Sequence, residues 1–535
     1  MAARPPQNQE PGLQQGHNIQ PDVFKAPAED VRAVSEKGST SVSTDDASPN
    51  DRPELVMPRS WKFTAIALVC SISFGAAWSA RLAASMKSTI KKELSINNTQ
   101  FALLEASEEF MQTALMMLSG VVTDRIGGAA AILYGNIILT VGSIIIAGAA
   151  TGKSYQLKIF GRIVSALGDV ATQIATYRAF AGWLAPSAGF ATTVGLEIGI
   201  GRIGGFLGSS TANIIAKNTG NFAWTYWVAV FVSLFTNVCT LIFFKFTKKA
   251  HNKFAPASDA ATGEVLTEKN KRFDFHKVLE LPWTFWTIML FSMVETSCAI
   301  VYSQNATELA EHRFKVDAVE AGWYSSLSQY GGFVFSALFG ALIDVYGHRL
   351  SWMAVCGFGM LLSMALINWS TTTGGVAASY ATYAVFVRIG PVVIIDGIRS
   401  SMWHQDVFGS AYAAKITMNN ATNILVRIIA GVVQDADDNS YHRVTIIYVF
   451  LAMSSLVISV ALLIWSWFAV DLQLLQYTRK RRIARGTFIL ERKRRALEET
   501  KGRNRTIGTY CLSALLLYVL GSWAAYFWGV ATGNN

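Results

Sequence analysis

The chain has 535 residues, a net charge of +10 and only 15% charged residues against 51% hydrophobic ones. A soluble protein of this length would carry about a quarter charged residues. The deficit lies in apolar runs of about 20 residues, which are long enough to cross a bilayer as helices. The basic residues cluster between these runs, so membrane topology explains the positive charge better than nucleic-acid binding does.

The amino-terminal residues 1–58 are rich in Gln, Pro, Ser, Asp and Ala and lack the apolar core of a signal peptide. This composition predicts a disordered cytoplasmic tail. Twelve apolar runs follow, which predict an all-α membrane protein with two six-helix bundles, residues 59–246 and 283–468. The runs are 62–86, 101–123, 129–150, 157–180, 189–214, 222–246, 283–304, 320–343, 350–371, 376–400, 410–433 and 444–468.

Two basic segments flank the second bundle, the linker 247–282 and the stretch 469–508. The positive-inside rule places both on the cytoplasmic side, together with the amino terminus. The second segment either sets the topology or also rests as an amphipathic surface on anionic lipid. Residues 509–535 contain a further apolar run, which predicts a thirteenth transmembrane helix with a short end.

The five cysteines are scattered through apolar runs, so we expect no disulfide framework, no metal site and no cofactor. Sequons at Asn97, Asn305 and Asn368 fall on the expected non-cytoplasmic side. We take Asn97 and Asn305 as the glycosylation candidates, since Asn368 is close to the membrane.

One motif occurs twice, as GVVTDRIGG near residue 120 and as GALIDVYGHR near residue 340. Each copy follows an even-numbered run, the second and the eighth. The matched residues are Gly120, Asp124 and Gly127 in the first copy and Gly340, Asp344 and Gly347 in the second. Repetition at this period indicates two similar bundles within one chain.

The repeated motif resembles the G-x-x-x-D-R-x-G signature of the major facilitator superfamily, which implies the major facilitator fold with pseudo-twofold symmetry. A glycine at its start lets two helices approach closely. The aspartate can accept hydrogen bonds and pair with a basic group at a helix end. We therefore expect a conformational latch formed by Gly120, Asp124, Arg125, Gly340, Asp344 and Arg349.

Four segments are similar to the lysosomal dipeptide-transporting branch of that superfamily. They are LAASMKSTIKKELSINNTQFALLEA, GRIVSALGDVATQ, GLEIGIGRIGG and GSAYAAKITMNNATNILVRIIAGVVQD. The resemblance implies dipeptide transport and an accessory membrane glycoprotein. It favours a lysosomal or vacuolar membrane and leaves the plasma membrane open. It also implies that Arg202 grips the peptide carboxylate. The acidic residue of the branch in span four is shifted here by one position, to Asp169.

Ionisable residues at bilayer depth are costly and usually face a cavity. We therefore predict a substrate site formed by Arg202, Asp169, Glu197, Glu295 and Arg388. Arg202 could hold a substrate carboxylate with two hydrogen bonds. Alternatively, Arg202 pairs with Asp169 or Glu197 and only joins helices. Span ten should also kink at Pro391, three residues after Arg388.

Span two opens with an acidic cluster in which Glu105 and Glu109 share one helix face. The cluster could bind a proton or a substrate amine, or it could be a solvated rim. No histidine falls at mid-membrane, so any coupling to protons would use carboxylates.

Three functions remain open. The leading hypothesis is a transporter that carries a small zwitterion, for example a dipeptide, by alternating access. The resemblance disfavours a proton-coupled exporter of drugs or metabolites, because proton antiporters of that superfamily often carry a Gly-Pro motif in span five. Here GIGRIGG has the glycines but no proline. A non-transporting nutrient sensor on a transporter fold would use the long tail and basic segment for partners. An enzyme is not expected, since the sequence has no nucleophile elbow, metal cluster or phosphate loop.

Overall fold

The computed structural model describes residues 57–96, 98–184, 189–254, 259, 261–262, 266, 276–315, 331–370, 372–404, 407–436, 441–499 and 501–532. These residues fall in one compact unit, residues 54–535, and their regular elements are all helices. The all-α prediction is thereby confirmed. Nearly all of the predicted tail, most of the linker and Asn97 lie outside the described residues.

The first bundle contains six long helices and one short one. They are α1 (Arg59–Ser85), α2 (Lys87–Leu94), α3 (Asn98–Ile126), α4 (Gly128–Thr151), α5 (Tyr155–Trp183), α6 (Phe190–Thr219) and α7 (Ala223–Lys253). A side-chain cap and a glycine determine where two of these helices begin or end. The Ser154 hydroxyl accepts a hydrogen bond from the Leu157 amide and caps α5. Gly220 ends α6 in the left-handed region that glycine favours.

The second bundle begins after a short helix. Its elements are α8 (His276–Leu279), α9 (Trp283–Phe314), α10 (Gly332–Tyr346), α11 (Arg349–Trp369), α12 (Thr373–Phe386), α13 (Ile389–Ser401), α14 (Phe408–Ala436) and α15 (His442–Trp465). Span ten is divided at Val387 and Arg388 into α12 and α13. Pro391 has no amide hydrogen to donate to the Val387 carbonyl, so it fits only in the first turn of a new helix.

Four more helices follow: α16 (Val470–Leu475), α17 (Arg479–Ala484), α18 (Gly486–Glu498) and α19 (Lys501–Thr532). The basic segment folds back onto the chain. Arg482 donates to Asp259 of the linker at 2.7 Å, and Trp283 at the start of α9 donates to Asp471 at 3.1 Å. This segment therefore packs against the end of the bundles where α7 ends and α9 begins, which we name the linker end.

Nine helical stretches among the described residues are long and apolar enough to cross a membrane. Eight belong to the twelve predicted spans, and the ninth is Lys501–Trp528 in α19. The remaining spans are α3, α5 and α6, which carry the charged residues discussed below, and α10, whose described part is short. A membrane-crossing role for α19 stays a prediction.

Helix contacts within the two bundles correspond to one another. In the first bundle α4 packs on α5 and α7, and α1 packs on α6 and α7. In the second bundle α11 packs on α12 and α15, and α9 packs on α14 and α15. The bundles meet along two equivalent seams, α3 with α14 and α6 with α10. This is the pairing expected of a pseudo-twofold relation between the halves.

Helix α19 covers the α3–α14 seam and contacts both bundles. On the first bundle, the Phe110 ring lies 5.2 Å from Trp523 and 5.4 Å from Tyr526 between ring centres. On the second bundle, the Tyr518 hydroxyl donates to the Thr422 hydroxyl at 3.1 Å. The extra helix therefore bridges the two halves, an arrangement that its evenly apolar sequence gave no reason to expect.

Candidate functional site

The first latch aspartate lies at the linker end and joins the bundles. Asp124, in the last turn of α3, accepts hydrogen bonds from the Gly409 amide at 2.9 Å and from the Ser410 amide and hydroxyl, each at 2.7 Å. Both donors belong to the first turn of α14, where amide groups lack partners within the helix and the helix dipole favours an anion. Arg178 of α5 completes the site, with its Nε 3.0 Å from the carboxylate.

The second latch aspartate repeats this geometry across the other seam. Asp344, near the end of α10, accepts hydrogen bonds from the Thr192 amide at 2.7 Å and the Thr192 hydroxyl at 2.5 Å. Thr192 lies in the first turn of α6. Each bundle thus places an aspartate on the amino terminus of a helix of the other bundle, and both contacts close the linker end.

The motif glycines allow this close approach. A Cβ atom at Gly120 would lie 2.5 Å from the Cβ of Ala413, and one at Gly340 would lie 2.5 Å from a backbone oxygen of α6. Either substitution would push a seam apart. Gly127 and Gly347 turn the chain between helices with φ of 92° and 65°, values that side-chain-bearing residues rarely adopt.

The two predicted latch arginines differ in position. Arg125 is exposed and does not contact Asp124, whose cationic partner is Arg178. Arg349 is buried, and its Nε donates to Asp396 at 2.6 Å, close to the second latch. One pattern in the sequence points to Arg178. At the 220-residue offset of the motif, it falls one position before Arg399, whose guanidinium donates across the bundles to the Ala181 carbonyl at 2.7 Å.

Four of the predicted substrate residues share one depth. Each lies 12 to 14 residues from the linker end of its span, which corresponds to about 18–21 Å along the helix. They are Asp169 in α5, Arg202 in α6, Glu295 in α9 and Arg388 at the break between α12 and α13. Helices of both bundles therefore contribute charged groups to the same level, near the middle of the spans.

The two arginines meet at the first residue of α10. A Cβ atom at Gly332 would lie 3.2 Å from the Nε of Arg388 and 3.5 Å from the Cβ of Arg202. Arg388 is buried, whereas Arg202 is half-buried. Arg202 of the first bundle and Arg388 of the second therefore lie beside the same glycine.

The Arg202 side chain forms no hydrogen bond, and no ion pair within 4.0 Å, with any other residue that the structure describes. Glu197, one of its two expected alternative partners, instead accepts hydrogen bonds from Ser73 at 2.7 Å and Tyr177 at 3.0 Å. The Arg202 charge still lies within electrostatic range of Glu197 and of Tyr177. A purely helix-joining ion pair of Arg202 is therefore not observed in the described part of the chain.

Asp169, the other expected partner, accepts a hydrogen bond from Gln112 at 2.9 Å through one carboxylate oxygen. The other oxygen has no hydrogen-bond partner among the residues described, and the side chain is half-buried. Gln112 in turn accepts a hydrogen bond from Asn420 of α14 at 3.4 Å. This short chain links the Asp169 carboxylate to the second bundle.

Glu295 is 1% exposed and lies against the helix break, where a Cβ atom at Gly390 would collide with its carboxylate. Thr296 donates to it at 3.1 Å. The neighbouring cation is Lys415 of α14, which is 6% exposed and whose Nζ lies 5.7 Å from the centre of the Tyr412 ring. Within the described ranges, Lys415 has no hydrogen bond and no ion pair within 4.0 Å.

The acidic cluster of span two is used in ion pairs. Glu109 pairs with Arg427 of α14 at 2.5 Å, across the bundles, and Glu108 pairs with Arg162 of α5. The side chain of Glu105 lies outside the described residues. The proposed proton role of Glu105 and Glu109 stays a prediction.

The sequons also stay predictions. Asn305 lies within α9, and its amide donates to the Tyr448 hydroxyl at 2.9 Å. Asn368 is buried near the end of α11 and accepts a hydrogen bond from Thr445 at 2.7 Å.

Comparison with known proteins agrees with this architecture. Residues 67–426 match the family model of the Major Facilitator Superfamily. The chain is 21% identical over 394 residues to the lysosomal dipeptide transporter MFSD1 of Mus musculus, covering 70% of this chain and 80% of that protein. It is 22% identical over 412 residues to the same transporter of Homo sapiens, covering 73% and 84%.

Two solved structures share the fold. The Major Facilitator Superfamily transporter FucP in the outward conformation superposes with a TM-score of 0.57 at 17% identity, covering 75% of this chain and 99% of that one. The proton:xylose symporter XylE bound to 6-bromo-6-deoxy-D-glucose gives a TM-score of 0.61 at 12% identity, covering 78% and 99%. The family match spans more than half of the sequence, so this multi-pass membrane protein belongs to the Major Facilitator Superfamily.

Proposed function

We propose that this transporter carries a small zwitterionic solute, with dipeptides as the substrate class, between its two bundles by alternating access. Family membership gives membrane transport by helical bundles. The observation that carries the finer proposal is Arg202, a guanidinium at mid-depth with no acidic partner within 4.0 Å in the described part of the chain. A cation at membrane depth is expensive without a partner, so a substrate carboxylate is the natural counter-ion of the half-buried Arg202.

The carboxylate end of the substrate would contact Arg202 and its neighbour Arg388. A guanidinium presents two parallel donors to a carboxylate, which adds geometric specificity to charge. Arg388 belongs to the second bundle, at the break in span ten. A carboxylate that contacts both arginines would therefore connect the two bundles in the substrate-bound state.

The ammonium end would contact Asp169. Of the other acidic residues of the predicted site, Glu197 already accepts two hydrogen bonds, and Glu295 faces the ammonium of Lys415. Asp169 keeps one carboxylate oxygen without a hydrogen-bond partner in the described residues. Because Asp169 and Arg202 lie on different helices of the first bundle, they can contact opposite ends of one zwitterion.

The transport cycle would open and close the two latches. Asp124 and Asp344 join the two bundles by hydrogen bonds at the linker end, so substrate would enter from the opposite end. Release at the linker end requires both aspartates to leave the first turns of α14 and α6. We place the amino terminus and the linker end in the cytoplasm on the basis of the basic segments.

The similarity to lysosomal dipeptide transporters supports a lysosomal or vacuolar membrane. An accessory membrane glycoprotein as partner is part of the same proposal. The division into tail, two bundles, linker, basic segment and extra helix belongs to the same proposal. Coupling to protons would use the carboxylates at mid-depth.

Ligand-induced thermal stabilisation of the purified full chain tests the substrate class. A free dipeptide should stabilise the wild type, and its C-terminally amidated form should stabilise it much less because Arg202 then has no carboxylate to bind. Arg202→Ala should remove the difference between the two peptides. Arg505→Ala, which deletes an exposed arginine far along the chain, is the control. Equal stabilisation by the free and amidated peptides would reject the proposed substrate class.

A further inference from the structure

A groove at the linker end is formed by residues that the transport proposal does not use. It encloses about 550 Å³ between the start of α9, the end of α15, α16, α18 and α19. We name it the linker-end groove; it is lined by Trp283, Trp465, Phe468, Ala469, Val470, Asp471, Arg492 and Arg503.

One side of the groove is aromatic and continues onto the outer surface of the bundle. The Trp283 and Trp465 rings lie 5.0 Å apart, centre to centre. Phe468 is 80% exposed and Trp467, next to it, is 75% exposed. These residues follow the apolar span α15, where the chain leaves the hydrocarbon. Tryptophan and other amphipathic rings prefer this headgroup level of a bilayer.

The other side of the groove is basic. Arg492 of α18 donates to Asp471 at 2.8 Å and 3.3 Å, and Asp471 also accepts a hydrogen bond from Trp283. These bonds hold Arg492 in place, and the bond to Asp471 raises its pKa above the ordinary value. Arg503 of α19 forms no hydrogen bond or ion pair with another described residue.

The charges of the lining do not cancel. Two guanidinium groups face one carboxylate, which leaves a surplus of one positive charge in the groove. The same basic segment also exposes Arg479, Lys480, Arg481 and Arg485. The groove therefore offers a positive charge on its basic side and an apolar surface on its membrane side.

We propose that the linker-end groove binds the phosphate-bearing headgroup of an anionic glycerophospholipid. Arg503 and Arg492 would contact the phosphate, and the glycerol region would lie on the tryptophan pair. The acyl chains would follow the exposed apolar faces of α15 and α19 into the bilayer. A free phosphate would leave the aromatic side unused, and a zwitterionic headgroup has no net negative charge to offset the surplus positive charge of the groove.

The occupant would also stabilise the extra helix. Arg503 lies on α19, whereas the tryptophans lie on α9 and α15 of the second bundle. A lipid contacting both would fasten the start of α19 to that bundle. A variant that weakens lipid binding should then also weaken the packing of α19 on the α3–α14 seam.

Binding can be tested on the delipidated full chain in neutral detergent, by native mass spectrometry and thermal stabilisation. The probes are phosphatidylserine, phosphatidylcholine of the same chain length and inorganic phosphate. We expect phosphatidylserine to bind at least about tenfold more tightly than phosphatidylcholine, and inorganic phosphate alone to give no stabilisation. Equal binding of the two lipids, or equal stabilisation by inorganic phosphate, would overturn the proposal.

Variants locate the site. Arg503→Gln breaks no contact among the described residues, so its folding should be intact, and it should weaken phosphatidylserine binding about fivefold. Combined with Arg492→Gln, the loss should exceed tenfold. The matched control is Arg494→Gln with Arg505→Gln, which removes two charges from the same helices outside the groove. If the control loses as much affinity as Arg503→Gln combined with Arg492→Gln, the basic surface acts non-specifically and the groove is not the site.

Discussion

Glu109 of α3 and Arg427 of α14 form a 2.5 Å ion pair that joins the two bundles. Along α3, the pair lies 15 residues from Asp124, or about 22 Å by helix rise. Asp124 joins the same two helices at the linker end. The α3–α14 seam is thus closed by charged groups at two separate levels, and its contacts must break in turn when the bundles move.

The Glu109–Arg427 pair should couple energetically. Glu109→Gln and Arg427→Gln should each lower the free energy of unfolding by about 1–3 kcal/mol, because each leaves a half-buried charge without its partner. The double variant should lose clearly less than the sum of the two. Thermal or denaturant unfolding in detergent measures this cycle. Additive losses would mean that the pair contributes no interaction energy and that Glu109 is available for another role.

Asp124→Asn should favour opening at the linker end. The substitution removes the charge that the first turn of α14 and Arg178 both stabilise, and losing one member of a buried pair costs about 3–5 kcal/mol. Spin labels on cysteines introduced at the exposed positions Arg125 and Tyr346 would report the separation of the bundles there. We expect a longer and broader distance distribution than in the labelled parent. An unchanged distribution would show that Asp124 does not hold this conformation.

Gly120→Ala should destabilise the seam, because its new methyl group would overlap Ala413 of α14. Overpacking of this kind costs about 1–3 kcal/mol. Gly148→Ala is the matched control, since a Cβ atom there meets nothing within 4 Å. That control should be neutral or stabilising by up to about 1 kcal/mol, owing to the better helix propensity of alanine. Similar melting temperatures for the two variants would contradict a close approach at Gly120.

Asp169→Asn should discriminate between peptides by their amino end. If Asp169 contacts the ammonium group, the variant should bind a free dipeptide at least about tenfold more weakly, while binding of the N-acetylated dipeptide should change little. Glu295→Gln is the comparison variant, because the Glu295 carboxylate of the wild type already faces the Lys415 ammonium. A larger effect of Glu295→Gln than of Asp169→Asn would move the ammonium site to the second bundle.

Much of the fold was predictable from sequence, because apolar run length and a repeated motif report directly on helices and symmetry. Gly120 and Asp124 lie at the α3–α14 seam, and Gly340 and Asp344 lie at the α6–α10 seam. Their partners were not predictable. Ser410 is far along the chain from Asp124, and no local periodicity identifies a contact between bundles. The Pro391 kink appears as a helix break at Arg388, since proline acts on the carbonyl four residues earlier.

The substrate site was predictable only as a set of residues at one depth. Helix rise places Asp169, Arg202 and Glu295 at mid-membrane, but it does not tell which of them are already paired. The structure shows which of the predicted site residues have partners. Glu197 accepts hydrogen bonds from Tyr177 and Ser73, whereas Arg202 forms no ion pair within the described ranges. Those partners lie on other helices, and residue spacing along one helix does not predict contacts between helices.

Uptake of a radiolabelled dipeptide into proteoliposomes tests the central claim most directly. The wild type should accumulate the peptide, and Arg202→Ala should abolish uptake while eluting as the same folded species. Arg202→Lys should retain only a small part of the rate, because lysine keeps the charge without the two-pronged geometry. Arg505→Ala should transport like the wild type. Undiminished uptake by Arg202→Ala would contradict the assignment of this guanidinium as the carboxylate-binding group.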